Sequence, residues 1–89
     1  QQAVESPRFA SYSFPDSFEP HNKFPGRLVV ESRIPCETRE QLQSLGHQVE
    51  PWPDWTPKAG AVCMIQIDQI RNYHVSGADP RRPAYALGW

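Results

Sequence analysis

Ten prolines are spread over 89 residues, about twice the usual share, and they decide where regular structure can run. Proline lacks a backbone N–H and fixes φ, so it ends helices and, within sheets, is confined to edges and strand starts. Pro7 stops the helix-forming run Gln1–Glu5, in which Ala3 and Val4 are apolar. Five residues make barely more than one turn, whereas an isolated helix needs roughly 12 to 15. Gln1–Glu5 therefore reads as the last turn of a helix that begins earlier, in a longer polypeptide. Pro15, Pro20 and Pro25 stand among Tyr12, Phe14, Phe18 and Phe24, so residues 10–26 are expected to form a packed, irregular aromatic loop. Long loops without structure of their own are uncommon in compact domains, and aromatics need apolar surface, so the surface this loop packs on is expected on another chain segment.

From Arg27 the pattern sharpens. Arg27–Ile34 alternates, with Leu28, Val30 and Ile34 on one face and Val29, Glu31 and Arg33 on the other, as a strand of period two requires. Pro35 suits an early helical position, Glu37 and Glu40 put negative charge near the positive end of the helix dipole, and Leu42 and Leu45 share a face. Gly46 is expected to cap that helix at its C-terminus, with basic His47 just beyond it. His47–Trp52 is a second short strand, ended by PWPDWTP, where three prolines exclude regular structure. Ala61–Ile67 is the most strand-like run, with Val62 and Met64 opposite Cys63, Ile65 and Ile67. Asp68–Asn72 would be a hairpin loop and Tyr73–Ser76 the antiparallel return. Then Gly77 permits a bend, Asp79 and Pro80 suit a type I turn, and Arg81 can fold back on Asp79.

Size and charge narrow the function classes. A chain this short buries only about 60 to 65% of the surface its unfolded form exposes, which allows one small domain at most. Hydrophobic residues make up 38%, and a net charge of -1 writes no electrostatic field for nucleic acid or an anionic membrane. No apolar run approaches the roughly 18 residues of a membrane span, and QQAVESPRF has neither the charged nor the apolar region of a signal peptide, so neither is expected. The compartment is not readable.

Residues with chemical potential are few and scattered. Cys36 and Cys63 have no CxxC neighbour, so they read as ordinary half-buried thiols, with one disulfide as the alternative. His21, His47 and His74 lack any closely spaced ligand pair, so no metal and no cofactor are expected. Asp79, Arg81 and Arg82 could grip a carboxylate or phosphate, but an Asp–Arg bridge pinning a turn is the simpler reading. Trp52 and Trp55, flanking Pro53, could stack a ligand, though such a loop more often packs on its own domain.

Three collinear stretches carry a resemblance. QQAVESPRF is similar to the QEAIDAPRFH segment of gamma-glutamyltranspeptidases, LQSLGHQVEPW to that family's helix-Gly-His-strand passage, and GADPRRPAYALGW to its terminal G-x-x-DPR-x-x-G-x-A-x-G-aromatic signature. Order and spacing agree over nearly the whole chain. The resemblance implies an α+β piece of the four-layer αββα fold of N-terminal nucleophile hydrolases, mainly antiparallel strands with one covering helix. Residues 1–89 would be a C-terminal segment of the small subunit: 1–26 the helix end and aromatic loop, 27–89 the strand, helix, strand, hairpin and terminal turn.

It also implies a parent enzyme made by self-cleavage, in which a Thr freed at the start of the small subunit attacks a gamma-glutamyl or related amide. The α-amine of that Thr would be the base and a glycine pair the oxyanion donors. Those residues precede the PRF segment in the family, so the chain is expected to hold no catalytic, substrate-binding or metal residue. Gln1 offers an α-amine but no hydroxyl, and Thr38 and Thr56 lie internally in a helix and a turn. The implied partners are the remainder of the small subunit and the large subunit. The implied structural residues are Arg8, Gly46, Gly77, Asp79 and Arg81. Departures at Ala10, Pro83, Ala84 and Trp89 leave the subfamily and substrate open. A reading of another class stays beside it: a free-standing binding module that uses the aromatic loop as its platform.

Overall fold

The computed structural model describes residues 1–87; Gly88 and Trp89, with the departure noted at Trp89, lie outside the described residues. The chain packs as two compact units, one of residues 7–56 and one of residues 1–6 with 57–89.

In the unit of residues 7–56, three strands form a sheet in the order β1 (Phe9–Ser11), β2 (Arg27–Glu31) and β3 (Gln48–Trp52). β1 pairs antiparallel with β2, placing Phe9 opposite Val30. β3 pairs parallel with β2, Arg27 opposite Gln48 and Glu31 opposite Trp52. A parallel pair needs a crossover, and α2 (Cys36–Ser44) supplies it. Central β2 carries the core: Leu28, Val29 and Val30 are all buried, each side chain contributing about 1.5–3 kcal/mol relative to exposure.

Several expectations are corrected here. The strand ends at Glu31, and Ile34 N–H turns back to the Glu31 carbonyl at 2.9 Å, so Ser32, Arg33 and Ile34 form a turn. Glu31 is 0% exposed although charged, its carboxylate engaged by Arg8 N–H and the Arg33 guanidinium. Phe9–Ser11 is a strand that alternation over three residues could not reveal. Phe14 and Phe18 are each 79% exposed, which leaves the aromatic loop's packing surface, expected on another chain segment, outside the described residues. Pro51 is accommodated because β3 lies at the sheet edge.

The end of α2 follows from its sequence. His47 N–H donates to the Leu42 carbonyl at 3.2 Å and Gly46 N–H to the Gln43 carbonyl at 2.9 Å, the paired bonds of a Schellman end. The residue between helix and strand must then be left-handed, and Gly46 sits at φ 98. Leu45 leaves the helix as its cap and is exposed, whereas Leu42 is half-buried, so only one of the two leucines stays on the packed face. A Cβ at Gly46 meets nothing within 4 Å, so strain alone opposes a side chain there. Gly46→Ala is expected to cost about 1–2 kcal/mol, read as a lowered denaturation midpoint of the unit, while Gly46→Asn costs less.

In the other unit, α1 (Gln2–Glu5) is a single turn ending at Ser6, with Val4 buried. A 3₁₀ turn spans Pro57–Ala59, and β4 (Cys63–Asp68) pairs antiparallel with β5 (Tyr73–Ala78) from Cys63 opposite Ala78 to Asp68 opposite Tyr73. The connecting loop is held by Asp68, whose Oδ1 accepts from Ile70 N–H at 3.0 Å and Arg71 N–H at 2.9 Å. Gly77 is no bend. It lies inside β5 opposite Met64, and a Cβ there would meet Gln1 at 3.5 Å. The Gln1 side-chain amide pairs with Ala78 as a strand would: its Nε2 donates to the Ala78 carbonyl at 2.9 Å and its Oε1 accepts Ala78 N–H at 3.2 Å.

Candidate functional site

The polar groups withdrawn from water gather in two places. In the unit of residues 1–6 and 57–89, the contiguous Asp79-Pro80-Arg81 turn places a carboxylate two residues from a guanidinium. Asp79 Oδ1 accepts from Arg81 N–H at 3.0 Å and Arg81 Nη1 at 3.1 Å, and Oδ2 accepts from Val62 N–H at 3.1 Å. Arg81 Nη1 also donates to the Val4 carbonyl at 3.1 Å and Nη2 to the Ser6 carbonyl at 2.9 Å. Both side chains are 0% exposed, so the pair faces backbone and offers nothing to an external anion. It ties the Ser6 end of α1, the start of β4 and the end of β5 through one buried charge pair. Arg82 is exposed and donates to the Pro57 carbonyl at 3.1 Å.

The second cluster, in the unit of residues 7–56, was not legible in the sequence. Buried Glu31 Oε2 accepts from Arg8 N–H at 3.0 Å and Arg33 Nη2 at 3.0 Å, while Glu31 N–H donates to the Arg8 carbonyl at 2.9 Å. The Arg33 guanidinium lies 3.6 Å from the ring centroid of Trp55, whose backbone is left-handed at φ 58. Trp55 is thus engaged by its own unit. Arg8 enters the arrangement through its backbone at the start of β1.

The nucleophile candidates are poorly equipped. Thr38 lines an apolar groove of about 240 Å³ with Phe9, Leu28, Val30, Ile34 and Leu42, and no base borders it. Thr56 is buried. Cys36 and Cys63 are free thiols and both exposed, which corrects their expected half-burial. Cys36 Sγ donates to Glu40 Oε1 at 3.4 Å, and that hydrogen bond, with the carboxylate's charge, pushes the thiol pKa up, away from the reactive thiolate. His21, His47 and His74 lie on the aromatic loop, before β3 and on β5. Among the described residues, no three His, Cys, Asp or Glu gather where they could hold a metal ion, and no helix is long and apolar enough to cross a membrane.

The units also expose large apolar side chains. Ile65 and Ile67 on one face of the hairpin and Met64, Tyr73 and Val75 on the other are open to solvent, Ile65 at 76%. A strand pair apolar on both faces has the pattern of buried strands, and an isolated two-stranded hairpin is marginal in water.

No protein-family model matches the chain. Over 99% of its length it is 32% identical to the "Glutathione hydrolase-like YwrD proenzyme" of Bacillus subtilis (strain 168), of which it spans 15%. Two solved structures, of LmbA2991T421A and LmbA2991HD, superpose on 90% of the chain with a TM-score of 0.84 and 31% identity, and the chain spans 13% of each. The α+β fold is therefore that of a stretch of a much larger protein, with two of its three strand pairings antiparallel. The match to a glutathione hydrolase-like proenzyme bears out the resemblance to the gamma-glutamyltranspeptidase family along the whole chain.

Proposed function

We propose that this chain is a structural segment, the C-terminal part of the small subunit, of a gamma-glutamyltranspeptidase-like enzyme. The parent enzyme transfers or hydrolyses gamma-glutamyl or related amides through an N-terminal Thr that lies outside residues 1–89. The observation that carries the reading is the whole-chain match to a relative named as a glutathione hydrolase-like proenzyme. The chemistry of the described residues supports the division of labour. An acyl-transfer nucleophile needs an adjacent base and an open approach, and neither Thr38 nor Thr56 has both.

The role is scaffolding. The Asp79–Arg81 pair and the Arg8–Glu31 backbone bridge each hold distant parts of one unit together, and Gly46 fixes the return from α2 into β3. The apolar hairpin faces and the groove beside α2 are then surfaces for the remainder of the small subunit and the large subunit, as in the four-layer αββα arrangement. Freed by self-cleavage, the Thr would attack the amide carbonyl with its own α-amine as base, and water or an acceptor amine would take the acyl group.

The test compares two proteins on a chromogenic gamma-glutamyl anilide. The 89-residue chain alone is expected to show no turnover above background and to bind a hydrophobic dye. The full-length precursor is expected to release the anilide, with the covalent acyl adduct on a Thr beyond this chain. Turnover by the isolated chain, or an adduct mapped within residues 1–89, would overturn the assignment. Cooperative unfolding of the isolated chain without dye binding would favour a free-standing binding module instead.

A further inference from the structure

The aromatic loop borders a cavity of about 330 Å³ that the scaffold role leaves unused. Its walls are held by the loop's own backbone: Phe24 N–H donates to the Tyr12 carbonyl at 2.7 Å and Asp16 N–H to the Asn22 carbonyl at 2.8 Å. Tyr12, Phe14 and Phe24 supply three aromatic rings to the lining, and Asp16 and Asn22 supply polar groups. Asp16 Oδ1 is fixed by Phe18 N–H at 3.0 Å. Its second oxygen, Oδ2, has no hydrogen-bond partner among the described residues.

Aromatic faces attract cations, and a neighbouring carboxylate adds to that attraction. Two of these rings already show it. The Arg27 guanidinium lies 4.7 Å from the Tyr12 centroid and 5.4 Å from that of Phe24. Arg27 is spoken for, however, since Glu50 takes its Nε at 3.0 Å and its Nη2 at 2.9 Å. Lys23, the one lysine or arginine between Tyr12 and Phe24, is not among the lining residues. An apolar occupant would cover the Asp16 carboxylate without pairing it, and an anionic one would meet a like charge. We propose that this cavity is a docking site for one basic side chain, an ammonium or guanidinium group carried by the segment that covers the aromatic loop. Phe14 and Phe18, each 79% exposed, are the surface that such a segment would cover. The inference rests on the scaffold reading in one respect: the segment belongs to the rest of the same polypeptide, beyond residues 1–89.

Chemical labelling of the native full-length protein tests it, with an acetylating reagent for lysines, phenylglyoxal for arginines and peptide mass spectrometry as the readout. Asp16→Asn removes the charge and keeps an oxygen for Phe18 N–H, while Phe14→Ala removes one ring from an exposed position. Each is expected to raise the labelling rate of the same lysine or arginine outside residues 1–89 about two- to fivefold, the size an exposed cation–aromatic contact or ion pair supports. Glu19→Gln, outside the lining, should leave that rate unchanged. Unchanged labelling in both variants, a response confined to Lys23, or an equal response to Glu19→Gln would overturn the proposal. So would a response to Phe14→Ala without one to Asp16→Asn, which marks an apolar occupant. Hydrolysis of the gamma-glutamyl anilide, measured on the same preparations, separates the two readings: turnover with unchanged labelling sinks the docking site alone, and absent turnover in the unaltered protein sinks the enzyme assignment.

Discussion

Arg81→Met is expected to destabilise the unit of residues 1–6 and 57–89 by about 3–5 kcal/mol, the cost of removing one partner from a buried ion pair. The magnitude follows from what is left behind. Asp79 keeps a carboxylate with no exposed surface, and the Val4 and Ser6 carbonyls lose the guanidinium donors that reach them. Amide exchange at Val62 and Arg81, both donors to Asp79, should accelerate by about two orders of magnitude or more in the full-length protein. Arg82→Met is the control. Its side chain is exposed and makes one hydrogen bond, to the Pro57 carbonyl, so its loss should cost less than about 1 kcal/mol. Removing both charges, as Asp79→Leu with Arg81→Met, should recover part of the loss because no buried charge stays unpaired. Recovery stays incomplete, since Val62 N–H and the two carbonyls still lack their partners. Equal effects of Arg81→Met and Arg82→Met would show that the buried pair does not hold the unit together.

That corner was legible because its chemistry is local: Asp79, Pro80 and Arg81 are adjacent in sequence, and turn preferences act over a few residues. The same holds for Gly46, where a helix-to-strand switch requires one left-handed residue, and for the β4–β5 hairpin, where alternation and a short polar loop coincide. Legibility failed where the decisive partner is remote. Alternation places Glu31 on a face with Val29 but does not show that it is buried, since the groups that hold it include Arg8, 23 positions away. Nothing in Phe9–Ser11 marks a strand, because three residues show no period. The parallel pairing of β2 with β3 depends on the route of α2, which local pattern does not encode. The aromatic loop closes on its own backbone and leaves Phe14 and Phe18 outward, so the surface expected to cover them, on another chain segment, is not among the described residues. The apolar faces of the hairpin carry the same lesson, since the sequence writes buried strands where residues 1–87 supply no full cover.

Glu31→Ala is expected to cost about 2–4 kcal/mol, and Glu31→Gln about half as much. The buried carboxylate oxygen is shared by a neutral donor, Arg8 N–H, and a charged one, Arg33 Nη2, each at 3.0 Å. Alanine deprives both. Glutamine keeps a carbonyl oxygen for one of them but brings an amide N–H₂ into a site populated by donors. The loss falls short of a fully buried pair because the Arg33 side chain is 22% exposed and can recruit water once its partner is gone. Release of Arg33 should also loosen its stacking on Trp55. Denaturant titration of the full-length protein, with amide exchange at Val29 and Val30 reporting on β2, gives the two free energies. A double-mutant cycle with Arg33→Met should return a coupling of about 1–2 kcal/mol, since the two side chains touch. If alanine and glutamine cost the same and the cycle is additive, Glu31 is buried as a shape rather than as an acceptor. The junction between the start of β1 and the end of β2 would then rest on backbone pairing alone.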